Sequence, residues 1–461
     1  MHQVLKAPRF LFILLTVFST LIHQQSPAAD TPQKAPDPKE TSKKVYEWKS
    51  ADGVVFAWRG PKKYDAPQGV GLTLVLHGSN LTHAWGFANH SKDAFRPDDL
   101  VVCPDGTTPN GNGGFNFLDA PDDVKKFHTL VGELKKAFKI RGTYIYGHSQ
   151  GSFFALKYAG EYPDEVDGVV AHASGLWASS KIGAAGHKQA VVFMHGTLDP
   201  VVPYAQSVGG YEALKKAGYP MVRLRSLESW NHWPAEMNGP VEHTSQQLAW
   251  VEGMTTKDPA RLTACFAKLA EVKKKDEHDW SGLYSLSKQV TKSAFAPPPL
   301  RARAEKAIGI VENLAMAHVK SIPPTATPAF EKKPWVAHLP MFLRAFTGIP
   351  AADDFAASWR NGILPAQQAA AAGPLKAYLA AAGQAGREAE AFEKGVALIK
   401  ANFLTYLNAD GTLAFNLAKW AKDAKKLNLG KEPLKDYATI QEVVKAGWQA
   451  FSAVNAKAGA P

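Results

Sequence analysis

The chain has only two cysteines in 461 residues, Cys103 and Cys265. That excludes a disulfide-stapled scaffold and a thiolate metal centre, both of which need several cysteines at short spacing. An oxidising compartment would permit one Cys103–Cys265 disulfide; the other reading is two buried free thiols. Long apolar runs are also missing after the first thirty residues, so no later segment reaches the ~20 apolar residues of a membrane-spanning helix. Acidic residues are in deficit, 42 Asp and Glu against 53 Lys and Arg, for a net charge of +11. Roughly ten of those net charges fall after residue 255. No RNA- or DNA-binding motif and no basic stretch interleaved with aromatics accompanies them, which argues against a nucleic-acid partner. The basic face is read either as solvated or as complementary to an anionic cell-envelope surface. "DEHDW", residues 276 to 280, looks metal-like by composition but lacks ligand spacing, and reads as a solvated helix face.

The first segment, "MHQVLKAPRFLFILLTVFSTLIHQQSPAAD", joins Lys6 and Arg9 to an apolar run from Phe10 to Ile22 and small residues from Ser26 to Ala29. These are the three parts of a secretory signal peptide, assigned to residues 1–29. The competing reading is an uncleaved anchor, but the run is short for a span. The mature chain is expected to be secreted or periplasmic, with no stable membrane span after cleavage. Residues 30–44 are proline-rich and charged and read as a linker.

From Val45 the pattern changes. "KVYEWKSADGVVFAWRG" predicts a hairpin turning at Asp52-Gly53. Short apolar runs follow in "GLTLVLHG", "DLVVCPDG", "TYIYGHS", "VDGVVAHAS", "QAVVFMHG" and "MVRLRSLES". Helical patterns cover 122–138, 150–162, 206–217 and 242–253. Strands apolar on both faces, alternating with helices, predict an α/β domain over 45–254 with a doubly wound, mostly parallel sheet. After about residue 255 the strand signal stops. Alanine, lysine and leucine at helical spacing, broken at Pro297-Pro298-Pro299, Pro323-Pro324 and Pro328, predict a separate all-α domain over 255–461 whose role the sequence leaves open.

The chemistry sits in "RGTYIYGHSQGSFFAL", residues 141 to 156, where Gly147-His148-Ser149-Gln150-Gly151 spells G-x-S-x-G between a predicted strand and a predicted helix. That context is what a nucleophile elbow requires. A serine needs a base, and the base needs an acid to hold its tautomer. "VVFMHGTLDPVVPY" places Asp199 just past a strand, and "RLRSLESWNHWPAEM" places His232 past the next. Ser149, Asp199 and His232 therefore stand in the order Ser…Asp…His. His195, His172 and His243 compete for the base; His195 precedes the acid loop and His243 begins a helix, which favours His232. His77 reads as a loop-bracing residue. Oxyanion donors are expected from the N–H of Gln150 and from Ser79 or Asn80 in "LVLHGSN".

Residues 45–254 resemble an α/β-hydrolase, and more narrowly the secreted polyhydroxybutyrate depolymerase and feruloyl esterase branch and the phospholipase/carboxylesterase group. "LVLHGSN", "CPDG", "GHSQGS", "HGTLDPVVP" and "NHWP" carry the likeness. The resemblance implies ester hydrolysis through an acyl-enzyme without a cofactor. One departure is Phe153, where these families often carry a small residue near the elbow. The interval from Ser149 to Asp199 is too short for a substantial lid, so the site is expected to be open and suited to a bulky or polymeric ester. Trp85, Trp177 and Trp233, with Phe87, Phe115 and Trp230, lie in loops near the predicted strand ends as candidate substrate contacts. A serine peptidase or thioesterase on the same triad is the nearest alternative. A non-catalytic envelope-binding protein that works through the basic helices is a more distant one.

Overall fold

β-Branched and aromatic runs become strands wherever both faces can be buried. The computed structural model describes residues 32–40, 44–65, 67–90, 95–233, 242–275, 277–323, 333–362, 364–403 and 411–459; the expected signal peptide lies outside them. The strands are β1 Tyr46–Lys49, β2 Val55–Arg59, β3 Val70–Leu76, β4 Asp99–Pro104, the two-residue pair β5 Thr108–Pro109 and β6 Phe115–Asn116, then β7 Ile140–His148, β8 Gly168–His172, β9 Ala190–Gly196 and β10 Val222–Leu227. Eight of them form one sheet in the order β1-β2-β4-β3-β7-β8-β9-β10. β1 and β2 are the predicted antiparallel hairpin, turning where Gly53 takes φ +85°, and β2 joins β4 antiparallel. From β4 to β10 every neighbour is parallel. Residues 32–40, predicted as linker, dock on this edge: Gln33 bridges Glu47, and the Trp58 indole donates to the Lys34 carbonyl at 2.8 Å.

Parallel neighbours need crossovers, and helices supply all but the one from β8 to β9. These are α1 His83–His90, α2 Pro121–Ala137, α3 Gln150–Glu161 and α4 Tyr204–Lys216, while α5 Glu242–Thr255 follows the last strand. Side-chain alternation divides β3 cleanly. Leu72, Leu74 and Leu76 share one face with Phe127 and Leu130 of α2 and Phe154 of α3. Val75 points the other way, into a core that takes in Tyr146, Val170 and Val192 of the sheet and Leu248 and Trp250 of α5.

That second core does not stop at α5. It continues through α6 Pro259–Ala270, α7 Trp280–Lys292, α8 Pro298–Ser321, α9 Trp335–Ala345, α10 Pro350–Gly362, α11 Leu364–Ala381, α12 Glu388–Ala401, α13 Gly411–Lys422 and α14 Lys431–Asn455. The mixed α/β sheet is thus followed by an all-helical second half, as predicted, and the two halves share one apolar interior. The proline signals fall where expected. Pro298 opens α8, a position where a missing N–H costs nothing, and Pro323 stands just past its end. Pro324 and Pro328 are outside the described residues, while Pro340 and Pro374 lie inside helices. Among the described residues no helix is long and apolar enough to cross a membrane. Cys103 and Cys265 are both buried free thiols.

The 276–280 segment corrects the sequence reading. Its described members are not a solvated face: His278 and Asp279 are buried, because Asp279 caps α7 and pairs with Arg223 of β10. Arg223 Nη1 donates to Asp279 at 2.6 Å and to Gln247 at 3.0 Å, and the guanidinium lies 5.3 Å from the Trp250 ring centre. In a second ionic network Glu252 of α5 binds Arg96 at 2.6 Å and Arg261 of α6 at 2.7 Å. Both networks fasten the helical half to the sheet.

Inside the helical half, His318 of α8 meets His338 of α9 at 2.7 Å and Asn455 of α14 at 3.0 Å, all three buried. Burial pushes His318 down to about 3 and His338 down to about 4. In the unfolded chain these imidazoles titrate near the ordinary ~6.5. Below that pH the unfolded state binds more protons, so stability is full above it and falls as pH drops. The melting temperature is expected to fall steadily from pH 7 to pH 4.5. His318→Gln, which keeps one donor and one acceptor, should flatten that slope; an equal slope in the variant would remove this pair as its cause.

Candidate active site

Ser149 sits between β7 and α3 with φ 52° and ψ −122°, a backbone conformation that a residue with a Cβ seldom adopts. The flanking glycines explain how it is held there. A Cβ on Gly147 would lie 2.6 Å from the Ser152 backbone, and one on Gly151 only 2.4 Å from the His77 carbonyl. The helix therefore starts hard against β3, and the Ser149 N–H is tied to the His172 carbonyl of β8 at 2.9 Å. A turn this tight places Ser149 at the carboxyl ends of the parallel strands, where open α/β sheets collect their ligands.

Asp199 follows β9 at the same edge. A Cβ on Gly196 would strike the Trp230 and Asn231 carbonyls at 2.3 and 2.5 Å, so the acid loop and the His232 loop run in close contact. Asp199 Oδ1 accepts the N–H groups of Val201 and Val202 at 2.8 and 2.9 Å. Oδ2 lies 2.7 Å from His232 Nδ1. Burial by itself would raise this carboxyl, but the hydrogen bonds from His195 and His232 outweigh it and hold the group well below the usual carboxylate range. With Nδ1 engaged, His232 keeps Nε2 for another partner. Its ring lies 4.9 Å from that of His148, the residue directly before Ser149. The loop carrying His232 is braced from the helical half, where Arg344 of α9 donates to Glu228 at 2.7 Å.

The expected oxyanion donors separate. Gln150 is the first residue of α3, and the first N–H groups of a helix have no intrahelical partner. Its side chain accepts from the Phe117 N–H at 3.1 Å and so fixes the facing loop. The Asn80 N–H is committed within the fold, to the Phe115 carbonyl at 3.0 Å and Asn116 Oδ1 at 3.2 Å. Ser79 lies in the turn after β3, beside Gly78, whose added Cβ would come 3.4 Å from Ser149 Cβ. His77 is a brace. It donates from Nδ1 to the Gly78 carbonyl at 2.7 Å and accepts the Gly106 N–H at 2.9 Å, and burial pushes it down to about 4.

The aromatic candidates also divide. Trp85 is buried and stacks on His148 with ring centres 5.4 Å apart, so it backs the site rather than lining a surface. Phe87 is buried as well. Trp177 stacks on Phe153 at 5.8 Å, which gives the unusual Phe153 its packing partner. Trp230 packs edge-on against His243 at 5.7 Å. Trp233 is 43% exposed and 5.5 Å from the His232 ring, the aromatic best placed to meet a substrate. The sequence marks His195 only as a rival base. It lies 3.0 Å from Asp199 Oδ2, on the same oxygen as His232. The spacing that could have revealed it is His195 to Asp199, four residues across a strand end. Among the described residues no three His, Cys, Asp or Glu side chains converge as metal ligands.

Residues 119–247 match the phospholipase/carboxylesterase family. No curated protein matches the chain. Similar solved structures include a thermostable esterase, 17% identical over 48% of this chain and 62% of its own, with a TM-score of 0.33. Zea mays acyl-protein thioesterase 2 is 19% identical over 42% of this chain and 98% of its own, TM-score 0.33. A Mesorhizobium loti carboxylesterase is 15% identical over 42% and 94%, TM-score 0.37. The chain thus spans less than two thirds of the thermostable esterase. The parallel sheet with its strand–turn–helix at Ser149 has the α/β-hydrolase architecture, and within it residues 119–247 resemble the phospholipase/carboxylesterase family.

Proposed function

We propose that the chain is an exported serine hydrolase that cleaves carboxylic esters, with Ser149 as nucleophile, His232 as general base and Asp199 as its orienting acid. The observation that carries this reading is the 2.7 Å contact of His232 Nδ1 with a carboxylate held fully ionised, at the sheet edge where Ser149 occupies its strained turn. In the reaction Ser149 Oγ attacks the ester carbonyl while His232 Nε2 takes its proton. The tetrahedral oxygen is received by the N–H groups of Gln150 and Ser79. Collapse expels the alcohol, protonated by His232, and leaves an acyl-enzyme that water clears by the same route in reverse.

A bulky or polymeric ester suits the site best. The connection from β8 to β9 holds a single short 3-10 turn, Ala184–Lys188, and Trp233 offers an exposed apolar edge beside the base. No cofactor is called for by this chemistry. Export rests on the basic, apolar and small-residue pattern of residues 1–29.

The test is hydrolysis of a panel of esters, thioesters and peptides, with a fluorophosphonate probe to label the nucleophile. Esters should be turned over fastest, and the label should map to Ser149. His232→Ala and Asp199→Ala should each cost roughly 10³-fold or more in kcat, and the double variant little beyond the worse single one, because the pair acts as a unit. Multiplicative losses, or labelling at another serine, would overturn the assignment.

A further inference from the structure

We infer that His195 is a second imidazole on the Asp199 carboxylate with protons on both ring nitrogens, a positioning residue that partly neutralises the acid and so tunes the base. The inference starts from hydrogen-bond accounting at a buried site. Ser207 Oγ lies 2.5 Å from the Ser174 carbonyl, which can only accept, so the single hydroxyl proton points there. The Ser207 oxygen therefore turns lone pairs toward His195 Nδ1 at 2.7 Å, and that nitrogen must carry a proton. On the other side, His195 Nε2 faces two acceptors, Asp199 Oδ2 and the Val202 carbonyl, each at 3.0 Å. It must carry a proton too. Swapping the ring over would place carbon at both positions and leave Ser207 and Asp199 short of a donor.

The surroundings fit a buried cation with one counter-charge. His195, Asp199 and Ser207 are fully buried and His232 nearly so. Facing His195 are Tyr204 and Ser207 from α4, His172 from β8, and Asp199 and His232 from the loops. His232 faces Asp199, His148, His172 and Trp233. Burial holds His148 well below its ordinary value and His172 at about 3, so neither adds charge, and it raises the Tyr204 phenol to about 12. Beyond Tyr204, Glu228 and Arg344 close their own pair. Asp199 thus has its four acceptor positions filled by two backbone N–H groups and two imidazoles.

The consequence for the proposed reaction follows from charge. A lone carboxylate beside His232 favours its imidazolium form. With His195 positive on the same oxygen, that pull is partly cancelled, and His232 stays a neutral, proton-accepting base to lower pH. Removing the His195 charge should strengthen the pull on His232, which then becomes neutral only at higher pH.

Two measurements test this. Nitrogen-15 NMR of the full chain with labelled histidine should show protons on both ring nitrogens of His195 at neutral pH, assigned by their perturbation in Ser207→Ala. A single ring proton would overturn the inference, and this arm holds whether or not the chain is an esterase. The kinetic arm rests on the proposed triad. In His195→Gln, which keeps a neutral donor toward Asp199, the acid limb of the kcat/KM profile should move up by about one pH unit or more. A folded, active His195→Gln enzyme with an unmoved limb would overturn it. Absence of ester hydrolysis in the wild-type chain would count against the proposed function instead, leaving the nitrogen signals to decide the protonation.

Discussion

Ser149→Ala should leave a folded protein that no longer hydrolyses esters, with turnover reduced roughly 10⁴-fold or more. The size follows from the role: without Oγ no acyl-enzyme forms, and His232 and the oxyanion donors have nothing to activate. The fold should survive because Oγ is not what holds the elbow. The Ser149 N–H bond to His172 and the close seating of α3 on β3 are backbone features that alanine retains. Alanine also keeps the Cβ that makes φ 52° costly, so the melting temperature should move little. Ser149→Gly is the informative companion. It relieves the positive-φ strain, worth about 1 kcal/mol or more, and should melt at or above the wild-type temperature while remaining inactive. Fluorophosphonate labelling, ester turnover and a thermal melt on the three proteins decide the matter. Near-wild-type activity in the alanine variant would remove Ser149 from the chemistry.

Ending the chain at Met254 should abolish the fold of the remaining half, and not merely detach a surface-binding module. Composition alone favours the modular outcome, in which basic helices hold the enzyme on an anionic envelope or polymer surface. The shared interior argues otherwise. Such a cut strips α6 and α7 from α5 and uncovers Trp250, which is buried in the whole chain and donates to Ser285 of α7 at 2.8 Å. It also removes Asp279, the partner of Arg223 in β10, and so breaks the ionic contact that ties α7 to the sheet. Asp279→Ala in the full chain, which leaves Arg223 buried without its counter-ion, should destabilise by about 3–5 kcal/mol in denaturant titration. The shortened protein should show no cooperative melt and no turnover of small esters. Soluble, fully active material ending at Met254 would establish the modular picture instead. The proposal that the helical surface meets an anionic partner survives either way, because it concerns the exposed lysines, and salt-sensitive retention on anionic particles tests it.

How much of this was legible beforehand depends on the range of the interaction. Strands β3, β4, β7, β8 and β9 announced themselves as short apolar runs, and Ser149, Asp199 and His232 by their places just past such runs. Those signals are local, and local patterns are what one sequence displays. The β1–β2 turn at Gly53 was equally plain. What stayed hidden depended on contacts far apart in the chain. Asp279 looked solvated because its partner Arg223 lies 56 positions away. Asn80 looked like an oxyanion donor because the residues that claim its N–H, Phe115 and Asn116, come from a two-residue strand too short to leave a pattern. Helix α1 carries a glycine and two histidines within eight residues and so has little helical signature. His195 was visible, yet its contact with Ser207 crosses from β9 to α4 and could not be read from spacing.

Gly78, Gly147, Gly151 and Gly196 give the site an uneven capacity for change. A side chain added at Gly147, Gly151 or Gly196 would meet backbone, which cannot swing aside, and at Gly78 it would press on His148 and Ser149. The inner wall of the site is therefore closed to mutation almost to the last methyl group. The outer rim is not: Val201, two residues past the acid, and Trp233, directly after the base, are exposed. Under the proposed hydrolase reading, changes in substrate preference are expected at such rim positions, and side chains added at the elbow glycines are expected to disturb the turn itself.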